Sequence, residues 1–362
     1  MYKRQGEDRA GTLRVLGEHT LGPRGSLRAA FTGSEIRHDE TLRTYPPDSA
    51  SDGEFRYRQR LWSLGGETTW ALLRERRAER WFGARSLSVS AGGAWDVATT
   101  PQAGGREPQD RLDEWGARAG ASLALGRGNT VLHAGVSRRG RFPALRELYS
   151  GALSTFVPNP DLKPEKLVAI EAGVTAGSEG GEVQAVVFRH RLRDAVVRVR
   201  LDGPPRRFQR VNRNELESVG LELLGSRALG PVAVSGHLTW QDVQLPHTEA
   251  DETNRPENLP ELFGGLEGEI ALALGLRASA GVDYQGNQFA IDPGSGEDAK
   301  LADGTLFHAG LSRLWPVPAG WDAAFTRLET RIAVDNATDT AVYDAFGLPE
   351  PGRRFRFELR MF

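Results

Sequence analysis

Cysteine is absent from this sequence of 362 residues, which excludes disulfides, thiolate metal sites and a cysteine nucleophile. No run of 18 or more apolar residues occurs and the mean hydropathy is −0.43, so the sequence holds no candidate transmembrane helix. A membrane β-barrel is not thereby excluded, because only every second residue of its strands faces lipid and the average stays polar. An excess of one charge is missing too. With 46 basic and 48 acidic residues the net charge is −2, and no basic field for nucleic acid results. Lysine is scarce: Lys3, Lys163, Lys166 and Lys300 are its only occurrences, leaving 42 arginines among the 46 basic residues. The opening "MYKRQGEDRAG" lacks the apolar stretch of a secretory signal, so either the chain is cytoplasmic or Met1 is not the true start. No G-x-S-x-G, Walker loop, H-E-x-x-H or EF-hand loop is found, and no catalytic residue, resident metal or cofactor is expected.

What the sequence does hold is alternation. From Ser86 to Val97, Leu87, Val89, Ala91, Trp95 and Val97 oppose Ser86, Ser88, Ser90 and Asp96, a period of two that means strand. The pattern recurs in fifteen segments, at 11–20, 26–37, 55–74, 86–97, 112–125, 129–138, 166–177, 181–193, 215–227, 231–241, 261–273, 275–289, 304–315, 324–335 and 352–362. "TTWALLRERRAERWF" alone would pass for an amphipathic helix. The 43 glycines and 20 prolines, spread without a period, supply the turns. Short connections alternate with long polar ones at 38–54, 98–111, 139–165, 194–214, 242–260, 290–303 and 336–351, the untidy short-side link being 75–85. A soluble sandwich has no reason to keep its long loops on one side, whereas an outer-membrane barrel does. Trp240, Tyr284, Trp315 and Trp321 near strand ends suit an interfacial girdle or an ordinary core. His133, His190 and His237 read as solvated strand residues, and the acidic loop with Asp292, Glu297, Asp298 and Asp303 as a solvated surface rather than a calcium site.

One octet breaks the rhythm. "NPDLKPEK", Asn159 to Lys166, sets two prolines around an aspartate, and proline disfavours helix for the preceding Asn159 and Lys163, so the octet reads as a stiff extended entry into a strand. Together with "RFPALRELYSG" before it, it resembles the long loop and following strand of TonB-dependent outer-membrane receptors, through Pro143, Leu145, Glu147, Leu148, Tyr149, Asn159, Pro160, Leu162, Lys163, Pro164, Glu165, Glu171 and Gly173. "VNRNELESVGLEL", with Gly220 and Glu222, is similar to that family's asparagine loop and G-V-E strand. "ENLPELFGG" is similar to its L-P strand entry, with Phe263 departing from the pattern. The end resembles its closing motif through Asn336, Tyr343, Gly347, Pro349, Pro351, Gly352, Arg353 and Phe362. Phe362 falls on the arginine phase of the last strand, opposite Phe355, Phe357, Leu359 and Met361, so either a bulge or a frayed end is expected there or the family's terminal assembly signal is weaker.

The resemblance implies an all-β fold, a transmembrane antiparallel up-and-down β-barrel that is incomplete, its fifteen strands corresponding to strands 8 to 22 of about 22. Residues 1–362 are then a partial barrel domain, with plug domain and signal peptide absent and the C-terminus periplasmic. Such a sheet alone is expected to stay open or close imperfectly, since single-chain bacterial barrels close with an even strand count. The implied function is an active-transport receptor of the bacterial outer membrane for a large scarce nutrient, an iron–siderophore complex or a cobalamin-like ligand, energised through TonB. Its implied partners are outer-membrane lipid, the plug domain, the TonB complex, the barrel-assembly machinery and a ligand such as a ferric siderophore, with no nucleic acid. Oxygen-rich anionic chelates suit arginine forks and aromatic faces. The candidate ligand residues are therefore Tyr45, Arg106, Arg146, Tyr149, Phe156, Arg206, Arg207, Phe208, Tyr343 and Phe346, with "PPRRFQR" as a basic–aromatic docking patch. A passive porin and a secreted soluble β-protein are the alternatives.

Overall fold

The computed structural model describes residues 2–44, 53–73, 83–126, 129–150, 156–201, 207–246, 255–292, 295, 297–316 and 327–362. Tyr45, Arg206 and Trp321 lie outside the described residues. Fifteen strands follow one another in chain order within one sheet: β1 (Tyr2–Leu21), β2 (Gly25–Thr44), β3 (Gly53–Leu73), β4 (Ala84–Ala103), β5 (Leu112–Leu125), β6 (Asn129–Arg141), β8 (Glu165–Ser178), β9 (Gly181–Leu201), β10 (Arg207–Leu229), β11 (Val232–Gln244), β12 (Leu262–Ala271), β13 (Leu276–Gln285), β16 (Gly304–Trp315), β17 (Leu328–Asp335) and β20 (Arg354–Met361). A two-residue strand, β7 (Phe156–Val157), adds to β10 in parallel. Two hairpins stand apart from the sheet, β14 (Gln288–Ile291) with β15 (Asp298–Leu301), and β18 (Tyr343–Ala345) with β19 (Leu348–Pro349). The one α-helix among the described residues is α1, Leu145–Tyr149.

All fifteen expected segments are strands, so period-two patterning located the wall. Five boundaries differ markedly. β1 begins at Tyr2, β2 runs to Thr44, β4 runs to Ala103, β9 runs to Leu201 and β10 starts at Arg207, so part of the connections expected at 38–54, 98–111 and 194–214 is strand. A lipid-facing band about 25 Å tall occupies only about ten tilted strand residues, whereas the 20 residues of β1 extend about 66 Å at ~3.3 Å each. Beyond the band both faces meet water, and the alternation that reveals a strand disappears while the backbone ladder continues. Polar contacts link the strands there: Glu35 on β2 accepts from Arg60 on β3 at 2.8 Å and from Arg37 of its own strand at 2.6 Å, and His38 meets Asp8 of β1 at 2.7 Å.

Register aligns the apolar residues into rows across the sheet. Val15, Phe31, Leu64 and Trp95 are successive partners on β1 to β4, and all four are exposed, Leu64 to 63%. Ile270, Ala278, Leu311, Ile332 and Phe357 form such a row on β12 to β20, with Phe357 exposed to 70%. One residue along, Arg14, Thr32, Ser63 and Asp96 form a polar row. Rows of exposed tryptophan, leucine and phenylalanine over many strands exceed what a soluble monomer leaves open to water, and suit a wall whose outer face meets hydrocarbon. No described helix is long and apolar enough to cross a membrane, which leaves crossing by strands untouched.

The chain forms two compact units. The first comprises residues 1–123, 133–170 and 190–216, the second 124–132, 171–189 and 217–362. In the first, the hydrophobic core is a small cluster of Tyr57, Ala103, Leu145, Leu148, Tyr149 and Leu162, with Ile36, Phe55 and Val196 packed against it. In the second, Gly220 makes room for a neighbour, since a Cβ there would stand 2.4 Å from the Phe188 ring and 2.5 Å from the Trp240 carbonyl oxygen. The β17–β20 ladder runs from Leu328 opposite Met361 to Asp335 opposite Arg354 without a register shift, and Phe362 continues it through two backbone bonds with Arg327, at 3.0 and 3.2 Å. The expected bulge or frayed end is therefore not found. The reciprocal bonds hold Phe362 in the ladder on the arginine phase, with its ring exposed.

Candidate ligand-docking site

The octet Asn159–Lys166 is a fastening point in the first unit. Proline keeps it extended, so its backbone groups cannot pair within a helix and are met by side chains from other segments. The Asn159 carboxamide donates to the Arg210 carbonyl at 2.8 Å and accepts the Asp161 N–H at 3.1 Å, while its own N–H donates to Leu148 O at 2.9 Å. Lys163 exchanges both backbone bonds with the Asn212 carboxamide, at 2.7 and 2.9 Å, and Asn212 also donates to Asp194 O at 2.7 Å. Asp194 needs that tie, because its backbone sits at φ 55°, a left-handed conformation in β9. Leu162, only 1% exposed, drives into the cluster while its carbonyl accepts from the Gln109 side chain at 2.7 Å. Glu165 accepts from Val196 N–H at 2.7 Å and from Arg141, and Lys166 reaches Asp194 at 2.9 Å. Pro160 and Pro164 supply rigidity between these anchors.

α1 packs above the same cluster. Tyr149 is buried, its ring centroid 5.7 Å from that of Tyr57, and its hydroxyl accepts from Gln109 N–H at 2.8 Å and donates to Glu107 O at 3.3 Å. Burial pushes its phenol above the ordinary value, against the pull of the Gln109 N–H. Its ring and hydroxyl are thus engaged in packing. Burial also disfavours the Glu147 carboxylate, but two 2.9 Å bonds from Arg141 and one of 2.8 Å from Ala144 N–H outweigh it and hold Glu147 below the usual carboxylate value.

Beside this scaffold lies the basic–aromatic patch. Phe156 on β7 and Phe208 on β10 are opposite each other in the parallel ladder, with ring centroids 5.8 Å apart and planes tilted by 37°. Arg210 lies over the Phe156 ring at 4.6 Å and Arg198 over the Phe208 ring at 5.0 Å. Arg210 donates to the Arg146 carbonyl at 3.3 Å, which brings α1 to the patch, and Gln209 donates to Pro158 O at 3.3 Å. Arg146 and Arg207 are exposed, Phe156 and Phe208 half-buried. Arg198 was not among the expected residues, and Arg210 appeared only as the end of "PPRRFQR". The alternation in "VVRVR" ahead of the connection is the signal that would have marked Arg198.

The remaining expected residues lie elsewhere. Arg106 is exposed just after β4. Tyr343 and Phe346 belong to the second unit: the Tyr343 carbonyl accepts from Gln288 at 2.9 Å and Gln285 at 3.2 Å, and Phe346 is exposed at the β18–β19 turn. Around them the closing motif bonds to itself. The buried Asn336 carboxamide exchanges bonds with Thr340, at 2.8 and 2.9 Å, and reaches Pro351 O at 3.5 Å. Asp339 accepts from Arg353 N–H at 2.8 Å, and a Cβ on Gly352 would stand 2.6 Å from that carboxylate. Glu222 is half-buried on β10, two residues beyond Gly220. Among the described residues no group of three or more His, Cys, Asp or Glu side chains is arranged to hold a metal ion, and in the acidic loop Asp292 accepts from Ser295 at 3.1 Å.

The family described as TonB dependent receptor-like, beta-barrel matches residues 3–337. No curated protein matches the chain. Among solved structures, the copper transporter OprC superposes with a TM-score of 0.76 at 17% identity, covering 99% of this chain and 57% of that one. P. aeruginosa FpvA in complex with a pyoverdine and iron gives 0.74 at 13% identity, covering 99% and 49%. The ferric citrate transporter FecA in its unliganded form gives 0.72 at 12%, covering 99% and 55%. At these identities the likeness is one of fold, and the chain spans about half the length of the structures it matches.

Proposed function

The chain belongs to the TonB-dependent receptor β-barrel family of outer-membrane transporters, which are not enzymes, and from that premise we propose that it serves active uptake of a large scarce nutrient, an iron–siderophore complex. A cobalamin-like ligand is the variant of the same reading. The observation that carries it is the family match over residues 3–337 on a sheet whose exposed apolar rows suit lipid. The relatives named for copper, for a pyoverdine with iron and for ferric citrate support a metal-bearing cargo. In this reading the long connections face outward and the C-terminus faces the periplasm. The ligand docks on the basic–aromatic patch, and a plug domain moved by the TonB complex admits it.

Binding rather than bond-making is the chemistry required of these residues. Guanidinium forks and aromatic faces can hold an oxygen-rich chelate, and the octet keeps the strands beneath them from shifting. The test is uptake of radio-iron by cells expressing the full-length gene product, offered as several ferric chelates, with and without a protonophore. Saturable uptake abolished by the protonophore is expected. Uptake that is unsaturable and indifferent to the protonophore would sink this reading and favour a porin.

A further inference from the structure

From the strand register in the first unit, we propose that the lipid-facing side of β1 to β3 holds a binding site for a phosphate-bearing membrane lipid. Pairing sets Arg9 of β1 opposite Arg37 of β2, and Arg37 opposite Arg58 of β3. Three arginines thus stand in one row on neighbouring strands about 4.8 Å apart. Like charges directly opposite one another destabilise a sheet, so the wall by itself gains nothing from such a row. An anion laid across it turns the repulsion into attraction.

The row belongs to the face that carries the apolar residues. On β3, Tyr57 and Gln59 are buried on the other side, Tyr57 in the cluster beneath α1 and Gln59 donating to Pro143 O at 2.8 Å, which leaves Arg58 and Arg60 facing outward. Ile36 packs against the same cluster, which turns its neighbours Glu35 and Arg37 outward. Past Glu35 and Arg60, the rows down this face are Leu13, Gly33, Trp62 and Val97, then Val15, Phe31, Leu64 and Trp95. A Cβ on Gly33 would stand 2.7 Å from the Trp62 ring, so glycine there lets the indole lie against the sheet, its centroid 5.8 Å from that of Phe31. From Arg9 to Leu13 is about 13 Å of strand at ~3.3 Å per residue, which places the arginines at headgroup level above a tryptophan at the hydrocarbon boundary.

The acids present do not fill the row. Arg9 meets Glu7 at 2.8 Å and also feels Asp39, and Arg56, one row farther out, meets Glu54 at 3.7 Å. Glu35 alone answers three arginines, Arg37 at 2.6 Å, Arg60 at 2.8 Å and Arg58 at 4.0 Å. At that last distance no hydrogen bond forms, and the Arg58 Nε–H is buried without an acceptor among the described residues. A phosphate monoester brings three acceptor oxygens and about −1.5 to −2 charges, which suits forks that share one carboxylate. Its acyl chains would then follow Trp62, Phe31 and Leu64 down the same face, rows for which a free anion has no use. The proposal rests on the wall facing lipid and not on the cargo of the receptor.

The experiment is equilibrium binding to the full-length gene product in neutral detergent without divalent cations, with three probes: lipid A carrying its phosphates, the same lipid dephosphorylated, and inorganic phosphate. The phosphorylated lipid is expected to bind roughly tenfold or more tightly than the dephosphorylated one, and inorganic phosphate at equal concentration should not displace it. Arg37→Gln and Arg58→Gln should each weaken the phosphorylated lipid roughly tenfold, the lower end for a charge-assisted bond, and leave the dephosphorylated lipid unchanged. Arg14→Gln, in the polar row of the opposite face, should bind as wild type does. Heat-modifiable migration checks that each variant is folded. Equal binding of the two lipids, normal binding by the Arg37 and Arg58 variants, or an equal loss in Arg14→Gln overturns the site. Displacement by inorganic phosphate as strong as by the lipid itself overturns the lipid assignment. None of these readouts involves iron uptake, so the receptor reading stands or falls separately.

Discussion

Replacing Leu162 by alanine will loosen the long-connection cluster without unfolding the sheet. Leu162 is only 1% exposed and packs in the cluster that joins Tyr57 and Ala103 of the strands to Leu145, Leu148 and Tyr149 of α1. Truncating a leucine in such a site costs about 2.7–5 kcal/mol, the range set by how far the neighbours collapse into the cavity. The cost falls on local opening, since the ladders of the wall do not depend on this side chain. At 1.36 kcal/mol per decade, amides protected by the cluster should exchange roughly 100- to 5,000-fold faster. The reporters are Asn159 N–H, bonded to Leu148 O at 2.9 Å, and Gln109 N–H, bonded to the Tyr149 hydroxyl at 2.8 Å. The β12–β13 ladder, with Glu267 opposite Gly281, is the control. Hydrogen exchange read by mass spectrometry in detergent resolves both. Unchanged exchange at Asn159 and Gln109 would refute the reasoning, and equal acceleration in β12–β13 would show that the cluster braces the whole sheet.

Gly220→Ala should destabilise the fold by about 1–3 kcal/mol through overpacking against Phe188 and the Trp240 carbonyl. Its urea midpoint in detergent measures this, and a midpoint equal to wild type would remove the steric account. Leu64→Arg, in the exposed apolar row, should hinder insertion into vesicles by about 2–4 kcal/mol, while Ser63→Arg on the adjoining polar row should insert normally; similar behaviour of the two would contradict the assignment of faces. Glu147 carries a depressed carboxyl value, so its contact contributes fully above about pH 4.3, the ordinary value, and fades as the pH falls through the folded value. Exchange at Leu148 N–H, corrected for its intrinsic pH dependence, should therefore rise on acidification in wild type and stay flat in Glu147→Gln. Equal slopes in the two would dismiss that linkage.

The wall was legible because a sheet with lipid on one face must alternate, as Ser86–Val97 does within β4. What lay beyond the lipid band was harder to read. Residues 38–44 are strand although nothing in their polarity demands it, because ladder bonds to β1 and contacts such as His38 with Asp8 replace burial as the organising force. The octet announced rigidity, and Asn212 lay in the asparagine loop already singled out, but that the octet's partners are Gln109, Asn212 and Val196, up to 53 residues away, emerged only from the fold. Of the patch, "PPRRFQR" was visible as a run, and the pairing of Phe208 with Phe156 emerged only from the parallel β7–β10 ladder. Tyr149 was the opposite case. An aromatic residue in a polar connection suggested a ligand contact, and the fold engages it in the core.

Between the end strands β1 and β20, each strand of the described meander pairs with the meander strand before it and the one after it, while β7 pairs off this path with β10. Closing a hairpin across a short turn costs little chain entropy, so the wall can zip one strand at a time. The octet cluster cannot, because it needs β3, the β4–β5 connection, β8, β9 and β10 together. Assembly should therefore have two kinetic steps, with hairpins such as β10–β11 appearing first and the fastening of Asn159, Leu162 and Asn212 last. Pulse-labelled exchange during refolding would separate the two. Simultaneous protection of the Asn159 and Val232 amides would mean that the wall and its fastening form in a single step.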